Sequence, residues 1–144
     1  MRAIKGERGF TLIELMVVLV ILGLATTAVV LAMPEQGGSV EAEAERFAAR
    51  AKAARDDAIV ESRAVALLVD AGGYAFARRR GGRWQTGERH EWDEATAVET
   101  AGAAEGRSRF DSTGLAEPLR VTLHRHGREV AVVIGGDGNV HVQR

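Results

Sequence analysis

A single carboxylate, Glu14, lies near the start of a long apolar stretch. No charged residue occurs from Leu15 to Met33. A carboxylate in apolar surroundings is costly, about 2.5–3.5 kcal/mol at the middle of a bilayer, so such residues are candidates for function. Glu14 lies near the end of the stretch, where the cost is lower, and it is either a partly solvated acid or one partner of a charge pair. We favour the charge pair.

Four arginines form a second group: Arg78, Arg79, Arg80 and Arg83, followed by Trp84. Such a cluster can contact nucleic-acid phosphates, and an aromatic ring can stack on a base. The alternatives are a solvated hairpin tip or a surface that forms salt bridges with an acidic neighbouring subunit. We favour these alternatives, because strand alternation divides the arginines between two faces and the chain is not basic. We therefore do not expect nucleic acid to be a partner.

The sequence shows no pattern for catalysis or metal binding. His124 and His126 alternate on a predicted strand and His141 follows, but no acidic or thiol partner has metal-site spacing, so we expect solvent-facing histidines. The segment 135–139 lacks the acidic ladder of a calcium loop and reads as a hairpin turn. The chain has no cysteine and no motif of a hydrolase, P-loop or zinc protease. We predict no catalytic residue, no metal, no cofactor and no enzymatic activity.

The apolar stretch that contains Glu14 predicts a helix over residues 10–33. At about 1.5 Å per residue it would be roughly 36 Å long, enough to cross a hydrocarbon core of about 30 Å. Cations at Arg2, Lys5 and Arg8 precede it, so we expect a single-pass anchor with its N-terminus in the cytoplasm. Pro34 and the glycines at 37 and 38 predict a linker over residues 34–39.

The run Gly9-Phe10-Thr11-Leu12-Ile13-Glu14 resembles the processing site of type IV pilins and of the pseudopilins of type II secretion. The resemblance implies that a prepilin peptidase cuts between Gly9 and Phe10, removes the leader 1–9 and methylates the new N-terminus at Phe10. It also implies that Glu14 pairs with the N-terminal amine of a neighbouring subunit. The expected partners are other pseudopilins, the peptidase and an assembly platform in the inner membrane. The assembled subunit would belong to a periplasmic pseudopilus.

Residues 40–144 predict one globular domain. Ser39 can cap a second helix that runs to about Glu61, and the early glutamates at 41, 43 and 45 suit the helix dipole. Its one apolar stripe at helical spacing consists of Val40, Ala44, Phe47, Ala51, Ala54 and Ala58. Glycine-bounded strands are expected at 64–69, 74–78, 83–86, 107–110, 119–124, 129–134 and 139–143. Residues 87–106 lack periodicity, which predicts a long exposed loop in which Trp92 is a packing anchor. The expected fold class is α+β, with the second helix packed on antiparallel sheets.

The break at Pro34 and the segment from Phe110 to Pro118, which is followed by a strand and a glycine-rich hairpin, resemble the H-type minor pseudopilins. This resemblance implies a structural subunit at or near the tip of the type II secretion pseudopilus, assisting protein export across the outer membrane. The alternative is a FimT/FimU-like minor pilin that acts in pilus priming, adhesion or DNA uptake. A third alternative is a plain anchored periplasmic binding domain. The formal net charge is −1, and loss of the leader's three cations and one anion would leave −3, which does not indicate a general nucleic-acid binder.

Overall fold

A computed structural model describes residues 11–32 and 38–144. The chain divides into two compact units, Met1–Gln36 and Gly37–Arg144, and each is considered by itself. The predicted break at Pro34 lies outside the described residues.

The first unit contains helix α1, Leu12–Ala32. Its start is capped by Thr11, whose Oγ1 accepts a hydrogen bond from the Glu14 backbone N–H at 3.3 Å. Apart from Glu14, Thr26 and Thr27, the described side chains of the helix are apolar. All the described side chains are exposed, and the large apolar ones range from Leu12 at 78% to Val18 at 42%. In the part of the chain that the structure describes, no helix combines the length and the apolar character that crossing a membrane requires. The membrane helix expected over residues 10–33 therefore stays a prediction.

Helix α2, Val40–Val60, opens the second unit as predicted. The Ser39 side chain accepts a hydrogen bond from the Ala42 backbone N–H at 3.2 Å, which is a standard N-cap contact. All six residues of the predicted apolar stripe are buried, and they are Val40, Ala44, Phe47, Ala51, Ala54 and Ala58. Because most of the stripe is alanine, the helix backbone can lie close to the strands beneath it.

Within residues 38–144, eight strands form two four-stranded antiparallel sheets. The first sheet has the order β3-β2-β1-β5 and the second has the order β4-β6-β7-β8. The strands are β1 Val65–Asp70, β2 Gly73–Arg80, β3 Arg83–Glu91, β4 Ala97–Gly102, β5 Arg107–Phe110, β6 Leu119–Arg125, β7 Arg128–Ile134 and β8 Val140–Gln143. The second helix and both sheets contribute to a single hydrophobic core. The α+β class and the antiparallel sheets are confirmed.

The long loop predicted over residues 87–106 is wrong. Strand β3 continues to Glu91, and β4 with a short 3-10 helix, Ala104–Gly106, fills most of the remainder. Both strands are sheet edges. Nearly every residue of β3 and β4 is exposed, so neither strand has the alternation of buried and exposed residues that identifies a strand in a sequence.

Trp92, within that segment, is a packing anchor as predicted. Its ring is 7% exposed and packs edge-on against Phe47 with 5.4 Å between ring centroids. Its Nε1–H donates to the Asp70 carbonyl oxygen at 2.9 Å. Asp70 in turn accepts two hydrogen bonds from Arg89, and this contact, with the Gly72 N–H, lowers the pKa of the Asp70 carboxyl to about 2. The end of β3 is thus fixed to the β1–β2 turn.

The β5–β6 connection closes the domain near the end of α2. The Arg55 Nε–H donates to the Gly114 carbonyl oxygen at 3.1 Å, and the Ala116 N–H donates to the Gly136 carbonyl oxygen at 3.1 Å. Gly138 has a φ of +75°, and a Cβ added there would collide with the Gly114 carbonyl oxygen. Both the backbone conformation and the close approach therefore require glycine at this position.

We predict that Gly138→Ala strongly destabilises the domain, whereas Gly127→Ala does so modestly. Gly127 has nearly the same φ, +74°, but open space around its added Cβ. The control should lose only the cost of a left-handed alanine, about 1–2 kcal/mol, and Gly138→Ala should lose about 2 kcal/mol more from overpacking. Urea unfolding of residues 38–144 measures both free energies, and equal losses would contradict the close approach.

Candidate functional site

Glu14 lies in the first turn of α1 and its side chain is exposed. A carboxylate at a helix N-terminus is favoured by the helix dipole, and a nearby cation would add to that stabilisation. The hydroxyls of Thr26 and Thr27 donate to carbonyl oxygens within the helix, at 2.6 Å to Leu22 and 2.9 Å to Gly23. Because these hydroxyls already have partners within the helix, Glu14 is the polar side chain of α1, among those described, that is available to a partner outside it. The processing residues Gly9 and Phe10 lie outside the described residues.

A cluster of buried charged residues joins the start of α2 to the β3–β4 connection and to the end of β6. Glu43 is 5% exposed, and its carboxylate accepts hydrogen bonds from the Asp93 backbone N–H and the Thr96 hydroxyl, both at 2.7 Å. The Arg125 side chain, 8% exposed, places Nη1 2.6 Å from Asp93 Oδ2 and 3.9 Å from Glu43 Oε2. The cluster therefore pairs its buried cation with two carboxylates and supplies the hydrogen bonds that buried charges require.

Arg125 also holds the residue that precedes the α2 cap. Its Nη2 donates to the Gly38 carbonyl oxygen. The first described residue of the second unit is thereby tied to β6, which is far from it in sequence. This contact fixes where the chain enters the domain.

Two exposed pairs repeat the same arrangement along the start of α2. Arg128 Nη1 lies 3.4 Å from Glu41 Oε1, and Arg144 Nη2 lies 3.5 Å from Glu45 Oε1. From the sequence we interpreted these glutamates only as favourable charges near a helix N-terminus. The sequence signal for the pairing was the arginines at strand ends late in the chain, but no spacing rule links them to α2.

The arginine cluster does not act as one group. Arg78 lies on the face of β2 towards α2 and forms a salt bridge with Asp57 at 2.6 Å. Arg79 lies in register with Trp84, and Arg80 lies opposite Arg83 at the hairpin tip, all of them exposed. Arg63, from the turn after α2, lines the same concavity as Arg79 and Arg80. The sequence did not predict that Arg63 joins this group, because the contact crosses from a turn to a hairpin.

The histidines do not form the shared face that strand alternation predicted. His126 lies in the β6–β7 turn with a φ of +50°, because β6 ends at Arg125. His124 lies 3.7 Å from Glu129 and 3.9 Å from Glu99, measured between side-chain N and O atoms. Within residues 11–32 and 38–144, no group of three or more histidine and acidic side chains has the geometry to hold a metal ion.

Comparison with solved structures shows which class this fold belongs to. The minor pseudopilin EpsH from the type 2 secretion system of Vibrio cholerae matches with a TM-score of 0.64 at 14% identity, over 72% of this chain and 95% of that one. The type IV minor pilin FimU of Pseudomonas aeruginosa matches with a TM-score of 0.60 at 14% identity, over 73% and 88%. The fold is that of minor pseudopilins and minor pilins.

Sequence comparison then gives the family. Residues 4–30 match the prokaryotic N-terminal methylation motif, and residues 43–138 match the family of type II transport protein GspH. The chain belongs to the GspH family, which confirms the resemblance to H-type pseudopilins. It is also similar to type II secretion system protein H of Aeromonas hydrophila, 33% identical over 83 residues. That alignment covers 55% of this chain and 45% of the relative, so it spans less than half of the relative's length.

We predict that Arg125→Met destabilises the domain by about 3–5 kcal/mol, because it leaves the Glu43 carboxylate buried without its cation. The control Arg128→Met removes a pair whose arginine side chain is 71% exposed and should cost less than about 0.5 kcal/mol. Glu43→Gln combined with Arg125→Met should lose less than the sum of the single changes. Urea unfolding measures all four variants, and additive losses would show that the two residues do not interact.

Proposed function

We propose that this protein is a minor pseudopilin, a structural subunit at or near the tip of the type II secretion pseudopilus that assists protein export across the outer membrane. The observation that carries the proposal is the order of two matches in one chain: an N-terminal methylation motif over 4–30, then a GspH-family domain over 43–138. The role is structural, and the partners we propose are other pseudopilins, the prepilin peptidase and the inner-membrane assembly platform.

The surface of α1 supports a role in assembly. A helix that is apolar on every side requires cover, either from lipid or from neighbouring helices. The internal hydrogen bonds of Thr26 and Thr27 leave their hydroxyls satisfied in both surroundings. We propose that residues 10–33 are stored in the inner membrane, with the N-terminus cytoplasmic and the domain periplasmic, and are then covered by other subunits in the fibre.

We propose that Glu14 sets the register of this assembly. Cleavage between Gly9 and Phe10 would create a cationic N-terminus on each subunit, and Glu14 offers an exposed carboxylate in the first turn of α1. A pair between Glu14 and the amine of a neighbouring subunit's N-terminus would neutralise two charges in an apolar environment. An apolar helix can slide against its neighbours, whereas a charge pair fixes one position.

The fold does not distinguish a secretion pseudopilus from a type IV pilus, because it resembles both EpsH and FimU with similar scores. The family match favours secretion. The fold-level likeness to FimU is therefore no reason to prefer the pilus.

Deletion of the gene tests this choice. We expect loss of exoprotein secretion with twitching motility and natural transformation unchanged, and expression of the full chain should restore secretion. Loss of twitching or transformation with normal secretion would contradict the proposal and favour the minor-pilin function.

We predict that Glu14→Ala is processed normally but enters the fibre poorly, because the N-terminal amine loses its counter-charge. Mass spectrometry of the mature N-terminus should find N-methylated Phe10 in both proteins, and sheared-fibre fractions should contain several-fold less of the variant. Glu14→Asp, which keeps the charge, should retain part of the incorporation. Normal incorporation of Glu14→Ala would remove the charge-pair argument, and a mature chain that still starts at Met1 would contradict pilin-type processing.

A further inference from the structure

One end of the second unit carries a group of exposed cations, here called the basic end: Arg63, Arg79, Arg80 and Arg83. Arg63, Arg79 and Arg80 line one concavity with the hairpin glycines, and Arg83 pairs in register with Arg80. Within the described part of the chain, no salt bridge reaches any of these four side chains, whereas the neighbouring Arg78 and Arg89 are paired with Asp57 and Asp70.

The backbone holds these cations together at a cost. Gly81 and Gly82 have φ of +57° and +78°, which closes a two-residue hairpin and fixes Arg80 opposite Arg83. Like charges directly opposite each other destabilise a strand pair. The backbone N–H of Arg63 donates to the Ala58 carbonyl oxygen at 3.0 Å, and this bond fixes the backbone of Arg63 at the end of α2. An anionic surface that covers these unpaired cations would reduce the repulsion between them.

The basic end lies far from the point where the chain enters the domain. Arg63 follows α2, whose 21 residues extend for about 31 Å from the Ser39 cap. At the opposite end of β3, roughly 26 Å from Arg83, lies the exposed carboxylate of Glu91, with the exposed carboxylates of Glu88 and Glu94 three residues before and after it. We call these three residues the acidic end. Asp93 of the same segment contacts Glu43 in the first turn of α2, so the acidic end lies beside the entry point.

We propose that the basic end docks onto an acidic surface of the neighbouring pseudopilin-type domain, in a head-to-tail contact along the fibre. This proposal rests on the proposed function and names the surface that it uses. The acidic surface expected on the neighbour is of the same kind as the acidic end of this chain. A head-to-tail contact joins two different surfaces and therefore propagates along a filament.

Nucleic acid fits this surface less well. Duplex DNA carries one charge per about 1.7 Å, so binding requires cations along an extended path. Here the cations are confined to one hairpin tip and one turn, and the exposed strand that leads away from them ends in carboxylates. The net charge of −3 that loss of the leader would leave adds a general repulsion. A local acidic protein surface matches the extent of the basic end, and Trp84, 45% exposed beside Arg83, adds an apolar contact.

The test is site-specific photo-cross-linking of the full chain in its native host, in cells that assemble the fibre. A photoreactive phenylalanine analogue replaces Trp84, an aromatic position that leaves all four arginines intact. The expected product is an adduct with another pseudopilin-type subunit, with the linked peptide in an acidic segment of its soluble domain. The same analogue at Leu115, which is 53% exposed and outside the basic end, should not give that adduct.

Charge reversal provides the matched control. Arg79→Glu with Arg83→Glu should reduce the Trp84-site adduct roughly fivefold, because two attractive contacts become repulsive. Arg120→Glu with Arg144→Glu changes the net charge equally at exposed positions on β6 and at residue 144, and should leave the adduct unchanged. An equal reduction by both pairs would overturn the proposal.

The remaining outcomes distinguish failure of the docking proposal from failure of the proposed function. An adduct with nucleic acid, or with a neutral or basic protein surface, overturns the docking proposal. If the chain is found in the fibre fraction but gives no adduct, the docking is wrong while the proposed function stands. If the chain is absent from the fibre fraction, both are overturned.

Discussion

The buried contact of Arg125 with Glu43 and Asp93 is the interaction on which the domain's arrangement depends. It joins β6, the first turn of α2 and the β3–β4 connection, and through the Gly38 carbonyl it reaches the residue before the helix cap. Apolar packing alone would allow α2 to shift along its alanine stripe, because alanines offer few shape constraints. Charges that must be paired when buried allow only one position. The cluster therefore fixes where α2 begins relative to the sheets.

The first helix is under the opposite constraint. The domain covers its core internally, whereas α1 leaves every described side chain exposed. The free energy available from covering that surface is realised only when the helix meets lipid or other helices. In the proposed assembly, a folded domain would therefore still leave α1 a driving force to be covered by other helices. Apolar contact is non-directional, however, so in the proposed assembly specificity would come from charges, for which we propose Glu14 on the helix and the arginines of the basic end.

The sequence predicted what local pattern determines. Ser39 and the alanine stripe identified α2, and glycine turns located β1, β6, β7 and β8 within a residue or two. The segment 87–106 failed because edge strands bury few side chains and so carry no periodic signal. The candidate sites also differ in whether a local sequence pattern marks them. Glu14 was recognisable because one charge in an apolar run is a local anomaly, but the Arg125 cluster and the place of Arg63 depend on contacts between residues distant in sequence, which no spacing rule encodes.

The two groups of arginines show how the fold assigns different roles to one residue type. Arg125 is almost fully buried, contacts Asp93, Glu43 and the Gly38 carbonyl oxygen, and contributes to the structure of this domain. The arginines of the basic end are held by a glycine turn and by the end of α2 where they repel one another, and within residues 38–144 they have no salt-bridge partner. A carboxylate placed among them would make the domain more stable, as Asp57 does beside Arg78. Its absence at that position is understandable if the missing charge is supplied from outside the domain, because a contact that is incomplete in the monomer favours the assembled state.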